Sequence, residues 1–220
     1  MSLPGSESGE AGVLPLLWNG PADPGRARRT FVLTHGAGAP MDSPFLERMA
    51  VALSAVGVRV ARFELPYMRT LRETGARKPP DREPVLRQAW RDAVAAVGNA
   101  GELAIGGKSL GGRMASLVAD ELGVRALVCL GYPFHPPGQP GKLRTAHLAA
   151  LATPTLIVQG TRDPFGTREE VAAYALSPAI RLHFLEDGDH SFVPRKSSGR
   201  TEAQNLAEAV EAVAFFLAGL

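Results

Sequence analysis

Five residues, Gly107-Lys108-Ser109-Leu110-Gly111, restrict what this chain can fold into more than any other stretch. They form Gly-x-Ser-x-Gly between a short apolar run, Leu103-Ala104-Ile105, and an amphipathic segment at 114–122. A strand, a sharp turn and a helix in that succession put the serine on a strained nucleophile elbow. The flanking residues must be small, because a Cβ at either glycine would collide with the adjoining strand or helix. The pentapeptide alone recurs by chance, so its surroundings carry the argument.

Those surroundings alternate. Apolar, β-prone runs at 30–34, 58–65, 103–107, 124–130, 155–159 and 181–185 read as strands, with a further edge strand at 13–18. Helical spacing occupies 44–56, 84–97, 111–122, 167–175 and 201–217. Ser43 before Pro44 is an N-cap followed by proline at the first helical position, and Gly57 is a stop. The basic, Pro-containing stretch 69–83 reads as a surface loop. Strands alternating with helices predict an α/β class with parallel pairing and right-handed crossovers. Nearly continuous apolar strands suit a sheet covered on both faces. Active residues then collect at the carboxyl ends of the strands. The Pro/Gly-rich stretch 133–141 is an excursion and not a linker, because strand signals resume after it. We expect a leader at 1–12, rich in Gly, Ser and Glu, and one domain over 13–220.

Composition narrows the partners. A formal net charge of +2 over 220 residues gives no argument for nucleic acid. No apolar stretch is long enough to span a bilayer, and the N-terminal segment does not read as a signal peptide. The single cysteine, Cys129, lies in an apolar run and reads as a buried, inert thiol. These features predict a cytoplasmic location.

A serine hydroxyl needs an imidazole to take its proton and an acid to orient that imidazole. After Ser109, the strand at 155–159 runs into Gly160-Thr161-Arg162-Asp163-Pro164-Phe165. The next strand runs into Glu186-Asp187-Gly188-Asp189-His190-Ser191-Phe192. Three strand ends therefore deliver serine, acid and histidine in that order. Asp163 is the expected acid and His190 the expected base. Asp187 and Asp189 compete for the acid's role, with Asp189 expected to brace its own loop. Donors for a developing oxyanion are expected from the N–H of Leu110 and, in the loop His35-Gly36-Ala37-Gly38, from Ala37, with Gly36 as second choice. His35 is expected to brace that loop.

Other chemistry fits less well. The run Gly101 to Ser109 approaches a phosphate loop, but one residue too many precedes Lys108 and an apolar strand fills the interval. No Gly-x-Gly-x-x-Gly pattern follows a strand, and His35 has no second ligand at metal spacing. We expect neither cofactor nor metal.

The chain resembles the α/β-hydrolases, in the small branch related to dienelactone hydrolases. More narrowly, it is similar to the hydrolase-like proteins grouped with testis-expressed protein 30. The residues responsible are Leu33-Thr34-His35-Gly36-Ala37-Gly38, Arg62-Phe63-Glu64-Leu65-Pro66-Tyr67-Met68, Arg77-Lys78-Pro79-Pro80-Asp81-Arg82 and Gly106 to Arg113. Leu130 to Gly138, Gly160-Thr161-Arg162-Asp163 and Gly188-Asp189-His190-Ser191-Phe192 complete them. The resemblance implies an α/β-hydrolase fold with a mostly parallel sheet of six or seven strands and no large cap domain. It also implies a Ser109/Asp163/His190 triad, but no defined substrate; from the serine chemistry we expect a hydrolase acting on a small-molecule ester or thioester. The excursion after Gly131 is too short for a large cap, so Tyr132, Phe134 and Tyr67 are expected to line a shallow pocket. The alternative from another class is a non-catalytic interaction module on the same scaffold.

Overall fold

The apolar runs pair into one seven-stranded sheet. The computed structural model describes residues 14–23, 25, 27 and 29–220. The leader expected at 1–12 lies outside them. The strands are β1 (Leu17–Asn19), β2 (Arg29–Thr34), β3 (Val58–Phe63), β4 (Leu103–Lys108), β5 (Ala126–Leu130), β6 (Thr155–Gly160) and β7 (Ile180–Leu185). Their order across the sheet is β1-β3-β2-β4-β5-β6-β7. β1 is antiparallel to β3 at one edge, and every other pairing is parallel. The edge strand is thus shorter and later than the 13–18 expected.

Helices cover both faces, which is why the strand runs are continuously apolar. One face packs against α1 (Pro44–Ala55) and α7 (Glu202–Ala218). The other packs against α2 (Pro66–Thr74), α3 (Glu83–Val97), α4 (Leu110–Ser116), α5 (Ala119–Leu122) and α6 (Arg168–Ala172). Side chains alternate between the two cores with period two. In β2, Phe31 and Leu33 face α1 and α7, whereas Val32 faces the opposite core. In β5, Ala126, Val128 and Leu130 take the first side, and Leu127 and Cys129 the second. Among the described residues no helix is long and apolar enough to cross a membrane.

Two helical segments differ from expectation. The stretch 69–83, expected as a loop, begins inside α2. Pro66 starts this helix, Tyr67 and Met68 are buried, and Gly75 ends it in the left-handed region at φ 72°. Its charge is not solvated display, because Arg72 donates to both oxygens of the buried Glu64, at 2.9 and 2.7 Å, and to Asp42. The expected helix 111–122 breaks between α4 and α5. Ser116 Oγ donates back to the Arg113 carbonyl at 2.7 Å, a bond that competes with the helical ladder. At α1, Ser43 holds the N-cap position with Pro44 beside it, but its side chain makes no capping bond.

Trp90 of α3 is fully buried and meets Phe63 edge-on at 4.8 Å between ring centroids. Trp90→Ala is expected to cost about 3–5 kcal/mol of stability, through lost burial and an unfilled cavity. Denaturant unfolding of the two proteins at equal pH measures it.

Candidate active site

The end of β4 makes the turn on which the site depends. Ser109 has φ 51° and ψ −113°, a conformation that L residues rarely adopt. The close packing around the turn explains the glycines. A Cβ on Gly107 would lie 2.6 Å from the Thr34 carbonyl oxygen, and one on Gly111 would lie 2.6 Å from that of His35. The α4 helix can therefore start against β2 only with glycine at both places.

Three side chains meet at this rim. His190 Nε2 lies 2.9 Å from Ser109 Oγ, and His190 Nδ1 lies 2.8 Å from Asp163 Oδ2. Asp163 is fully buried in the turn after β6. Its Oδ2 also accepts from Gln159 Nε2 at 2.9 Å, and its Oδ1 accepts from the Phe165 N–H at 2.8 Å. Every partner of this carboxylate is a donor. A proton on His190 Nδ1 is therefore directed to Asp163, and Nε2 is left as an acceptor facing the hydroxyl. The Phe165 ring lies 4.2 Å from the imidazole, centroid to centroid. Burial holds the His190 pKa below the ordinary imidazole value, against the raising influence of its bond to Asp163. At neutral pH the ring is thus unprotonated and can receive a proton.

The competing carboxylates are committed elsewhere. Asp187 binds the Arg195 guanidinium and its main-chain N–H, and it pairs with Arg162. Asp189 accepts from the N–H groups of Ser191 and Val193, at 2.8 and 3.0 Å. It braces the loop that carries His190.

The loop after β2 is held from beneath. The Leu65 N–H donates to His35 Nε2 at 3.0 Å, so Nδ1 carries the proton and donates to the Gly36 carbonyl at 2.7 Å. Burial lowers the His35 pKa and favours this neutral form. Tyr67 Oη reaches the carbonyls of Gly36 and Ala37, at 3.3 and 3.2 Å. With the carbonyls turned to these partners, neither the Ala37 N–H nor the Leu110 N–H has a main-chain acceptor among the described residues.

The cavity beside Ser109 has a volume of about 440 Å³. Its apolar lining is Pro44, Phe45 and Leu46 of α1 together with Phe165, and it includes Lys108 and Ser191. Tyr132 and Phe134, expected in this wall, are absent from it. Both are fully buried in the core on the α2–α6 side of the sheet, where the Phe134 ring packs on Tyr132 and Tyr174. The chain turns at Gly131, φ 65°, and Tyr132 Oη ends on the Arg144 carbonyl at 3.0 Å. Tyr67 lines a separate cavity beyond Ala37 and Gly38, together with Arg77 and Lys78. Phe45 and Phe165 read in the sequence only as a position of the helix at 44–56 and as a residue of the turn that holds Asp163.

Comparison with known proteins places the fold. A family model described as an alpha/beta hydrolase domain matches residues 27–218. The chain belongs to that family. Among solved structures, an alpha-beta serine hydrolase homologue from Coxiella burnetii superposes with a TM-score of 0.68 at 18% identity, over 91% of this chain and 89% of the other. A lidless a/b serine hydrolase from Xanthomonas campestris gives 0.65 at 19% identity, over 92% and 87%. The dienelactone hydrolase of Anabaena variabilis gives 0.64 at 22% identity, over 94% and 93%. At these identities the likeness is one of fold.

Proposed function

We propose that this chain is a serine hydrolase that cleaves a carboxylic ester or thioester through an acyl-enzyme. The observation that carries the reading is the continuous hydrogen-bonded path from Ser109 Oγ through the His190 ring to Asp163. Ser109 Oγ attacks the substrate carbonyl while His190 Nε2 takes its proton. The imidazolium that forms is stabilised by Asp163. The N–H groups of Ala37 and Leu110 receive the oxyanion, an effect of about 3–4 kcal/mol per donor. His190 then returns the proton to the leaving oxygen or sulfur, and the C–O or C–S bond breaks. Water repeats the sequence on the acyl-serine and releases the carboxylic acid. No step calls for a metal or an organic cofactor.

The wall of Phe45, Leu46 and Phe165 favours an apolar acyl group, and the open mouth favours a short one. Acetyl and butyryl esters are expected to show higher kcat/KM than long-chain esters. A panel of chromogenic esters of increasing chain length checks this, and a preference for the longest would contradict it. The reading as a whole is tested by a fluorophosphonate probe. Labelling at Ser109 is expected, and its absence in folded protein would favour a non-catalytic module.

A further inference from the structure

One charged side chain in the Ser109 cavity has no task in the chemistry above. Lys108 ends β4 and is only 8% exposed. Its Nζ donates to the main-chain carbonyl of His190 at 2.5 Å. That bond ties the nucleophile's strand to the loop after β7 that carries the imidazole. The ammonium sits 5.7 Å from the Phe45 ring centroid and has no ion-pair partner among the described residues: Asp163 is bonded to His190, and Asp189 to two main-chain N–H groups. Burial pushes its pKa down to about 8.

The fold makes room for this group. Gly131 lies opposite, at φ 65°, and a Cβ there would stand 2.8 Å from Lys108 Nζ and 2.9 Å from the His190 carbonyl oxygen. Any other residue would displace both ends of the bond. Burying an ammonium without a paired carboxylate opposes folding, so an apolar residue of similar length would serve the core at least as well.

We propose that Lys108 is a positioning residue, whose ammonium clamps the His190 backbone in register with Ser109 and sets a positive charge beside the imidazole. The proposal rests on the serine-hydrolase reading. The groups facing His190 are Ser109 and Lys108 from β4 and its turn, Asp163 after β6, and Asp189 on its own loop. α1 brings Pro44, Phe45 and Leu46 to the same cavity, none of them titratable. Burial lowers the imidazole pKa most, the two carboxylates raise it, and Lys108 adds to the lowering. Removing the lysine's charge therefore raises the His190 pKa, and activity that needs neutral imidazole is lost at a higher pH.

Lys108→Met keeps the apolar stem and removes the ammonium. It is expected to lower kcat by about 10–100-fold, the scale of a misplacement near 1 Å. It is also expected to move the acid limb of kcat/KM to higher pH, with a melting temperature no lower than that of the parent. Lys108→Arg keeps the charge and is expected to leave the acid limb where it was. Parental kcat with an unmoved limb in Lys108→Met overturns the proposal, as does a lowered melting temperature with those kinetics unchanged. Should the methionine variant not fold, the arginine variant decides, since a moved limb there overturns the charge effect. Ser109→Ala in the same assay separates the two readings. If it retains parental turnover, the hydrolase reading fails. If it is inactive while Lys108→Met matches the parent, only the clamp fails.

Discussion

Ser109→Ala should lower ester turnover by about a millionfold, the scale seen when a serine nucleophile is removed outright. The hydroxyl is the only nucleophile on the path to His190. Its one side-chain hydrogen bond among the described residues is the 2.9 Å contact with that ring. It does not cap α4. The main-chain bonds that hold the elbow, from the Ser109 N–H to the Leu130 carbonyl and from the Arg113 N–H to the Ser109 carbonyl, survive the substitution. Alanine and serine meet the same penalty at φ 51°, so the melting temperature should barely change. The Ala37 and Leu110 N–H groups also remain, and a slow residual hydrolysis by water, about 10³–10⁴ over the uncatalysed rate, is expected to persist. Stopped assays on a chromogenic ester, with melting curves beside them, read both quantities. Undiminished turnover in a folded variant would remove Ser109 from the chemistry.

Much of this arrangement was legible because it follows from local rules. Continuous apolar runs bounded by glycine and proline locate strands whatever packs on them, and β2 to β7 emerged within a few residues. The Ser109, Asp163 and His190 positions follow from strand ends, which sequence marks well. Side-chain direction is less accessible. Tyr132 follows a strand end as His190 does, yet the positive φ at Gly131 turns it into the core, and no periodicity reports a single dihedral angle. The α2 helix was hidden by its charge, since Arg72 reads as solvated until Glu64 and Asp42 are seen to face it. The break between α4 and α5 coincides with a Ser116 hydroxyl bonded to a main-chain carbonyl, which no spacing reports. Lys108 occupied a variable position of the motif, and only the approach of the His190 loop reveals what its ammonium touches.

Asp163→Asn is expected to lower kcat by about four orders of magnitude with little change in KM. The reason lies in who surrounds the carboxylate. Asp163 Oδ2 accepts from His190 Nδ1 and Gln159 Nε2, and Oδ1 accepts from the Phe165 N–H. An asparagine has one oxygen for these three donors. If its amide nitrogen takes the Oδ2 place, it meets the Gln159 amide as donor against donor. His190 must then turn Nδ1 into an acceptor and carry its proton on Nε2. That tautomer points N–H at Ser109 and cannot receive a proton from it. If the nitrogen takes the Oδ1 place instead, it opposes the Phe165 N–H and disturbs the turn that aims the side chain. Either choice also withdraws the negative charge that offsets the imidazolium during attack. Asp187→Asn is the matched control, because that carboxylate serves Arg195 and Arg162 and not the ring. Steady-state kinetics on both variants distinguishes the roles. A loss of only a few-fold in Asp163→Asn would mean that the ring is oriented by another group, with Asp189 on the same loop the first to test.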